Sequence, residues 1–168
     1  MENEGTTKPF VLRSHRVGDM GWAVHREGLG YFEEYGWDEH FEGLVAQIVA
    51  DFIRNFDAER ERCWMAEVNG QSVGHVFLVK HPDEEGTAKL RLLFIEKSAR
   101  GLGLGHALVG ECVSFARAAG YRRIVLWTQS MLGAAIRIYE RAGFRLIAEE
   151  PHRSFGHDLV AQTWELTL

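Results

Sequence analysis

The chain has 168 residues, 46% of them hydrophobic and 26% charged, with a formal net charge of −5. That is enough apolar material for one core without disulfides or metals, and the acidic balance excludes a nucleic-acid binder built on a concentrated basic face. No apolar run approaches the roughly 20 residues of a membrane helix, the eight histidines form no metal-ligand pair, and Cys63 and Cys112 read as free core thiols.

These features predict a soluble cytoplasmic protein without a metal, with a flexible tail over residues 1–9 and a single domain over residues 10–168. In chain order, residues 10–14 read as a first strand, and Asp19 opens a short helix ending near Gly28-Leu29-Gly30. From Glu27 to Ile53 stand seven carboxylates (Glu27, Glu33, Glu34, Asp38, Glu39, Glu42, Asp51) and no Lys or Arg. Such a run is a solvated helix face, or an acidic rim that draws in a cationic partner. Phe41, Leu44, Val45, Ile48, Val49, Phe52 and Ile53 recur at helical spacing. The aromatics before them are assigned mainly to the core, with Tyr35 and Trp37 serving either core or pocket wall.

Strands follow at 64–68 and 73–80, joined by an Asn69-Gly70 hairpin turn, and at 89–95 after a polar turn over 81–86. A helix over 106–119 ends at Gly120, and residues 123–128 form an apolar strand covered on both faces. A helix over 132–142 and strands at 144–149 and 159–168 complete the chain. Helices falling between strands in this order imply an α/β fold with a sheet of mixed direction.

The most informative stretch is Arg100-Gly101-Leu102-Gly103-Leu104-Gly105, between the strand at 89–95 and the helix opening at His106. A glycine-rich turn that opens a helix gathers unpaired N–H groups at the positive end of the helix dipole, which suits a phosphate. A dinucleotide fingerprint starting at Gly101 or Gly103 would need glycine where His106 or Leu108 stands, and a P-loop would need Gly-Lys-Ser/Thr where the chain has His106-Ala107.

The remaining pattern, R-G-x-G-x-G after an apolar strand, resembles the pyrophosphate-binding signature of the GNAT family of N-acetyltransferases. Ala135, Tyr139 and Gly143-Phe144 resemble that family's A-x-x-x-Y-x-x-x-G-F motif, and the hairpin around Asn69-Gly70 its central strand pair. The resemblance implies a mixed, mostly antiparallel sheet flanked by helices, with a splayed strand pair holding acetyl-CoA. It implies cofactor contacts from Leu93, Phe94, Ile95, Arg100, Gly101, Leu102, Gly103, Leu104, Gly105, His106 and Ala135, with Tyr139 as general acid. Leu132 stands where the family often carries Asn, so a cofactor hydrogen bond from that side chain is absent or comes from Gln129 or Ser130. Trp127-Thr128-Gln129-Ser130 and Phe155-Gly156-His157-Asp158 are similar to the acetyltransferase domain found fused to MarR-type DNA-binding domains, a fusion for which this chain leaves no room.

The implied function is direct acetyl transfer from acetyl-CoA to an amine acceptor, with a catalytically silent CoA-binding sensor as the alternative. A homodimer is left open, and neither nucleic acid nor membrane is expected as a partner. An alkylamine, with a pKa of about 10.4, must lose a proton before it attacks, and a thiolate leaving group, of pKa about 8.5, benefits from gaining one. The thioester carbonyl needs a fixed donor, which the family draws from a backbone N–H near Ile95. Glu33, Glu34, Glu67, His75, Glu96 and His157 are all candidates for the base. The carboxylate run favours a cationic acceptor, and a cationic small molecule, an amino acid and a protein amine all stay open.

Overall fold

The computed structural model describes residues 8–168, so residues 1–7 of the expected tail lie outside the described residues. The strands are β1 (Val11–Ser14), β2 (Arg62–Val68), β3 (Gln71–Lys80), β4 (Thr87–Ile95), β5 (Arg123–Gln129), β6 (Arg145–Ser154) and β7 (His157–Thr167). The helices are α1 (Asp19–Tyr35), α2 (Glu39–Asn55), α3 (Leu104–Ala118) and α4 (Gly133–Ala142). The strands form one sheet in the order β1-β2-β3-β4-β5-β7-β6. Every neighbouring pair is antiparallel except β4 with β5.

Alternating side chains give the sheet two apolar faces. On β2, Trp64 and Ala66 pack with α3 and α4, whereas Cys63 and Met65 pack under α1 and α2. Both cysteines are free and buried. The Asn69-Gly70 turn forms as expected, both residues taking the positive φ that a tight hairpin needs.

Three expectations need correction. First, α1 does not stop at Gly28–Gly30 but runs to Tyr35 and ends at Gly36. A Cβ at Gly28 would lie 2.9 Å from Glu42 Cγ, and one at Gly30 would lie 3.2 Å from the Phe94 ring. These glycines therefore let α1 approach α2 and β4, and do not break the helix. Gly18 is the N-cap, and Asp19 instead receives hydrogen bonds from Arg13.

Second, α3 opens at Leu104, two residues before the expected start. Third, β5 is not covered on both faces. Ile124 and Leu126 are buried, but Val125 is only half-buried and Trp127 is 48% exposed. The core under α1 and α2 includes no β5 residue, which leaves the face carrying Val125 and Trp127 open, and β4 and β5 also part company. Their pairing runs only from Thr87↔Arg123 to Leu90↔Leu126, so the ends of both strands diverge and leave a cleft in the sheet. A bulge on β4 sharpens the divergence: Val76 faces both Leu92 and Leu93, and Leu92 takes a φ of 53°.

Candidate active site

Two cavities occupy the cleft, one of about 390 Å³ beside the glycine loop and one of about 510 Å³ under α1 and α2. They share Tyr31, Leu93, Leu132 and Ala135 as a common wall. Because β5 leaves β4 after Leu90, alternate backbone N–H and C=O groups of β4 beyond that point face the cleft without a sheet partner.

The smaller cavity is built on the N-terminus of α3. Gly101 and Gly103 sit at φ 85° and 80°, and no side chain caps the helix. The first bond of the turn is Ala107 N–H to Gly103 C=O at 3.1 Å. The N–H groups of Leu104, Gly105 and His106 thus precede any helical acceptor and suit an anion. The sequence-predicted residues Leu93, Phe94, Ile95, Arg100, Gly101, Gly103, Leu104, Gly105, His106 and Ala135 all line this cavity. Leu102 does not, and its side chain is 40% exposed. Nor is the Arg100 guanidinium free, since it donates to both carboxylate oxygens of Glu34 at 2.8 and 2.7 Å. That pairing holds the Glu34 carboxyl below its ordinary pKa and raises that of Arg100.

Tyr139 lines the larger cavity and is 5% exposed. Burial, then the charges of Cys112 and Glu27, push its phenol well up, so it stays protonated at neutral pH. The same cavity contains Glu27, 2% exposed, with Oε2 lacking a hydrogen-bond partner. Burial pushes the Glu27 carboxyl up to about 8. His75 Nε2 lies 3.4 Å from Glu27 Oε2, and burial pushes this imidazole down to about 4, leaving it neutral. Tyr31 stacks on Trp37 at 4.9 Å and Trp37 leans on Phe155 at 5.1 Å, so Trp37 is at once core and cavity wall. Tyr35 belongs instead to the smaller cavity.

Sequence reasoning did not single out Glu27, and most of the candidates it did name for the base are paired with other groups or line neither cavity. Glu96 is held by Arg26, Glu67 by Arg13 and His157 by the carbonyl of Gly36. Glu33 lines neither cavity, and Glu34 is held by Arg100. Of the seven carboxylates between Glu27 and Ile53, Glu27 and Glu34 line a cavity. Asp38 caps α2 by accepting from His40 N–H, while Glu33, Glu39, Glu42 and Asp51 are exposed and line neither cavity. Arg122 and Arg123 hold the 81–86 turn through Glu85 C=O and the Glu84 carboxylate.

Gln129 is buried against the larger cavity, its Oε1 on His152 Nε2 at 2.8 Å and its Nε2 without a partner. It therefore offers the spare donor that Leu132 lacks, whereas Ser130 is exposed and lines neither cavity. Trp127 and Phe155 both line the same cavity. Among the described residues no cluster of three His, Cys, Asp or Glu could hold a metal ion, and no helix is long and apolar enough to cross a membrane.

A family model described as the acetyltransferase (GNAT) family matches residues 22–144. The chain is 32% identical over 126 residues to N-acetyltransferase family 8 member 7 of Mus musculus, covering 72% of this chain and 55% of the relative. It is 27% identical over 149 residues to an uncharacterized N-acetyltransferase of Methanocaldococcus jannaschii, covering 86% and 64%. The chain thus spans little more than half the length of the mouse protein. Among solved structures, ribosomal-protein-alanine N-acetyltransferase from Brucella melitensis is similar with a TM-score of 0.76 at 19% identity, over 94% of this chain and 99% of that one. A Salmonella typhimurium protein solved with its cofactor acetyl-CoA is similar with a TM-score of 0.74 at 19% identity, over 95% and 94%. At these identities the structures show a shared fold.

Proposed function

The chain belongs to the acetyltransferase (GNAT) family, and from that premise we propose that it transfers an acetyl group from acetyl-CoA to an amine. The observation that carries the reading is the meeting of the two cavities at Leu93, where the sheet opens. One offers uncapped helix N–H groups for a diphosphate. The other offers a protonated phenol and a carboxyl whose proton affinity has been raised into the working range of a base.

Acetyl-CoA supplies an acetyl thioester. Residues 101–106 hold its diphosphate through backbone N–H groups, and Leu93, Phe94, Ile95 and Ala135 line the path from there to the shared wall. A cleft-facing N–H of β4 stabilises charge on the carbonyl oxygen. Glu27 accepts a proton from the acceptor ammonium, and Tyr139 donates one to the departing sulfur. The ammonium loses two protons in all. One is balanced at sulfur, and the other leaves through Glu27 to solvent.

Calorimetry with acetyl-CoA, followed by thiol release with a panel of amines, tests the reading. Binding with release is expected; binding without release favours the silent sensor; no binding sinks both. Within an active enzyme, Tyr139→Phe lowers kcat by roughly 100-fold and leaves the KM for acetyl-CoA little changed. Glu27→Gln removes the limb of the kcat/KM profile near pH 8 that the carboxyl produces. Profiles of the same shape in wild type and variant would exclude Glu27 as the base.

A further inference from the structure

We propose that the acceptor is an amine that also carries a carboxylate on an apolar body, an amino acid with a large apolar side chain being its simplest form. The inference rests on the acetyl-transfer reading and names the substrate class of that site. Three chemistries line the 510 Å³ cavity, whose size is that of a small-molecule site. Its walls are apolar and aromatic, from Trp37, Phe41, Leu44, Ile48, Trp127 and Phe155. Its acidic group is Glu27, whose unpartnered Oε2 is an acceptor waiting for a donor such as an ammonium. Its third chemistry is cationic, from Lys89 and Arg91 on β4.

The two cations are two residues apart on one strand and so lie on the same face. Both are half-buried, and among the described residues neither has an ion-pair or hydrogen-bond partner. Asp51 on α2 acts on Arg91 through its field, but it lies beyond ion-pair distance and accepts from Gln47. Burial lowers the pKa of both groups, and Arg91 further disfavours the charge on Lys89. A half-buried, self-repelling cation pair is costly unless an anion joins it. The Trp37 Nε1–H, buried and unpartnered on the same cavity, is a further donor seeking an acceptor.

Strand geometry gives the reach. Along β4, Arg91 stands two residues before Leu93 and Lys89 four, with the bulge at Leu92 lying between Arg91 and Leu93. Arg91 is therefore the closer partner for a carboxylate on the carbon beside the amine, and its planar fork suits that group. Of the carboxylates that suggested a cationic acceptor, only Glu27 lines this cavity, and it takes the ammonium end of such a zwitterion.

The test is thiol release at saturating acetyl-CoA with tryptophan, phenylalanine and leucine, each compared with its carboxamide and its decarboxylated amine, and with spermidine. The acids are expected to exceed their amides in kcat/KM by about 10- to 100-fold, as for a charge-assisted pair. In Arg91→Gln, and to a smaller extent in Lys89→Gln, the acid-to-amide ratio falls toward one; acetyl-CoA calorimetry checks that each variant is folded. Arg91→Lys, which keeps the charge, retains part of the preference. Amides, amines or spermidine turned over as well as the acids would overturn the inference and leave acetyl transfer standing, as would an undiminished acid preference in Arg91→Gln. If nothing in the panel releases thiol, acetyl transfer fails and this inference fails with it.

Discussion

Arg100 and Glu34 hold each other at the mouth of the proposed cofactor cavity, with side chains 43% and 30% exposed. An exposed pair of this kind contributes only about 0.2–1 kcal/mol, so a diphosphate on the neighbouring helix terminus can compete for the guanidinium. The carboxylate of Glu34 meanwhile repels the same ligand. Glu34→Gln is therefore expected to tighten acetyl-CoA binding by about 2- to 5-fold while shifting the melting temperature by little. Weaker binding, read by calorimetry, would mean that Glu34 positions Arg100 and does not occupy it. At this scale the sequence made Tyr139 legible, because its spacing from Ala135 and Gly143 is a local pattern on one helix. Glu27 was not legible. It falls on the apolar side of α1 with Met20, Ala23 and Tyr31, but a lone carboxylate in an acidic stretch reads as solvated until α1 is packed against the rest of the chain.

The start of α3 and the parting of β4 from β5 are the two elements that make the proposed cofactor site. A Cβ at Gly103 would meet no atom within 4 Å, and φ there is +80°. Gly103→Glu costs the fold only the strain of left-handed backbone, about 1 kcal/mol, but it places a carboxylate against the anion site. Acetyl-CoA affinity should fall by about 100-fold or more. Gly110→Glu adds the same charge further along α3, where a side chain also has open space, and should leave affinity unchanged. Equal losses in the two variants would point to bulk charge, and no loss in Gly103→Glu would remove this loop as the site. Glycine spacing revealed the loop because positive φ and helix N-termini are local matters. The cleft was not visible in β5 itself: its run of Ile124, Val125, Leu126 and Trp127 reads as doubly covered, and only the tertiary structure leaves β5 out of the core under α1 and α2 and parts it from β4.

Across the whole molecule, the buried titrating groups set a pH dependence of stability. Glu27 keeps its proton in the folded state up to about pH 8 but loses it near 4.5 when unfolded, so stability falls as pH rises through that window. His75 and His15 act in the opposite sense: their folded pKa values are lowered from 6.5 by burial, so stability is lost as pH falls below 6.5. These slopes oppose each other below 6.5, and from there to about 8 Glu27 acts alone. One proton over that interval corresponds to about 2 kcal/mol, or about 4–8 °C in melting temperature for a chain of this size. Thermal melts should show that decline in the wild type and its absence in Glu27→Gln, which is also the more stable protein at pH 8. A parallel decline in both would assign the slope to other groups.

The sequence by itself determined the mixed α/β class, the hairpin at Asn69-Gly70, the phosphate-type loop at 100–105 and the tyrosine on α4. Each depends on backbone rules or spacing that act within a few residues. The tertiary structure alone decided that Glu27 is buried opposite Tyr139, that Arg100 is taken by Glu34, and that Lys89 and Arg91 stand unpaired in an apolar cavity. Burial, proton affinity and the pairing of charges depend on which distant segments come to share one low-dielectric space. A carboxylate in an acidic stretch and a carboxyl raised to pKa about 8 are the same letter until α1 packs across the open end of the sheet.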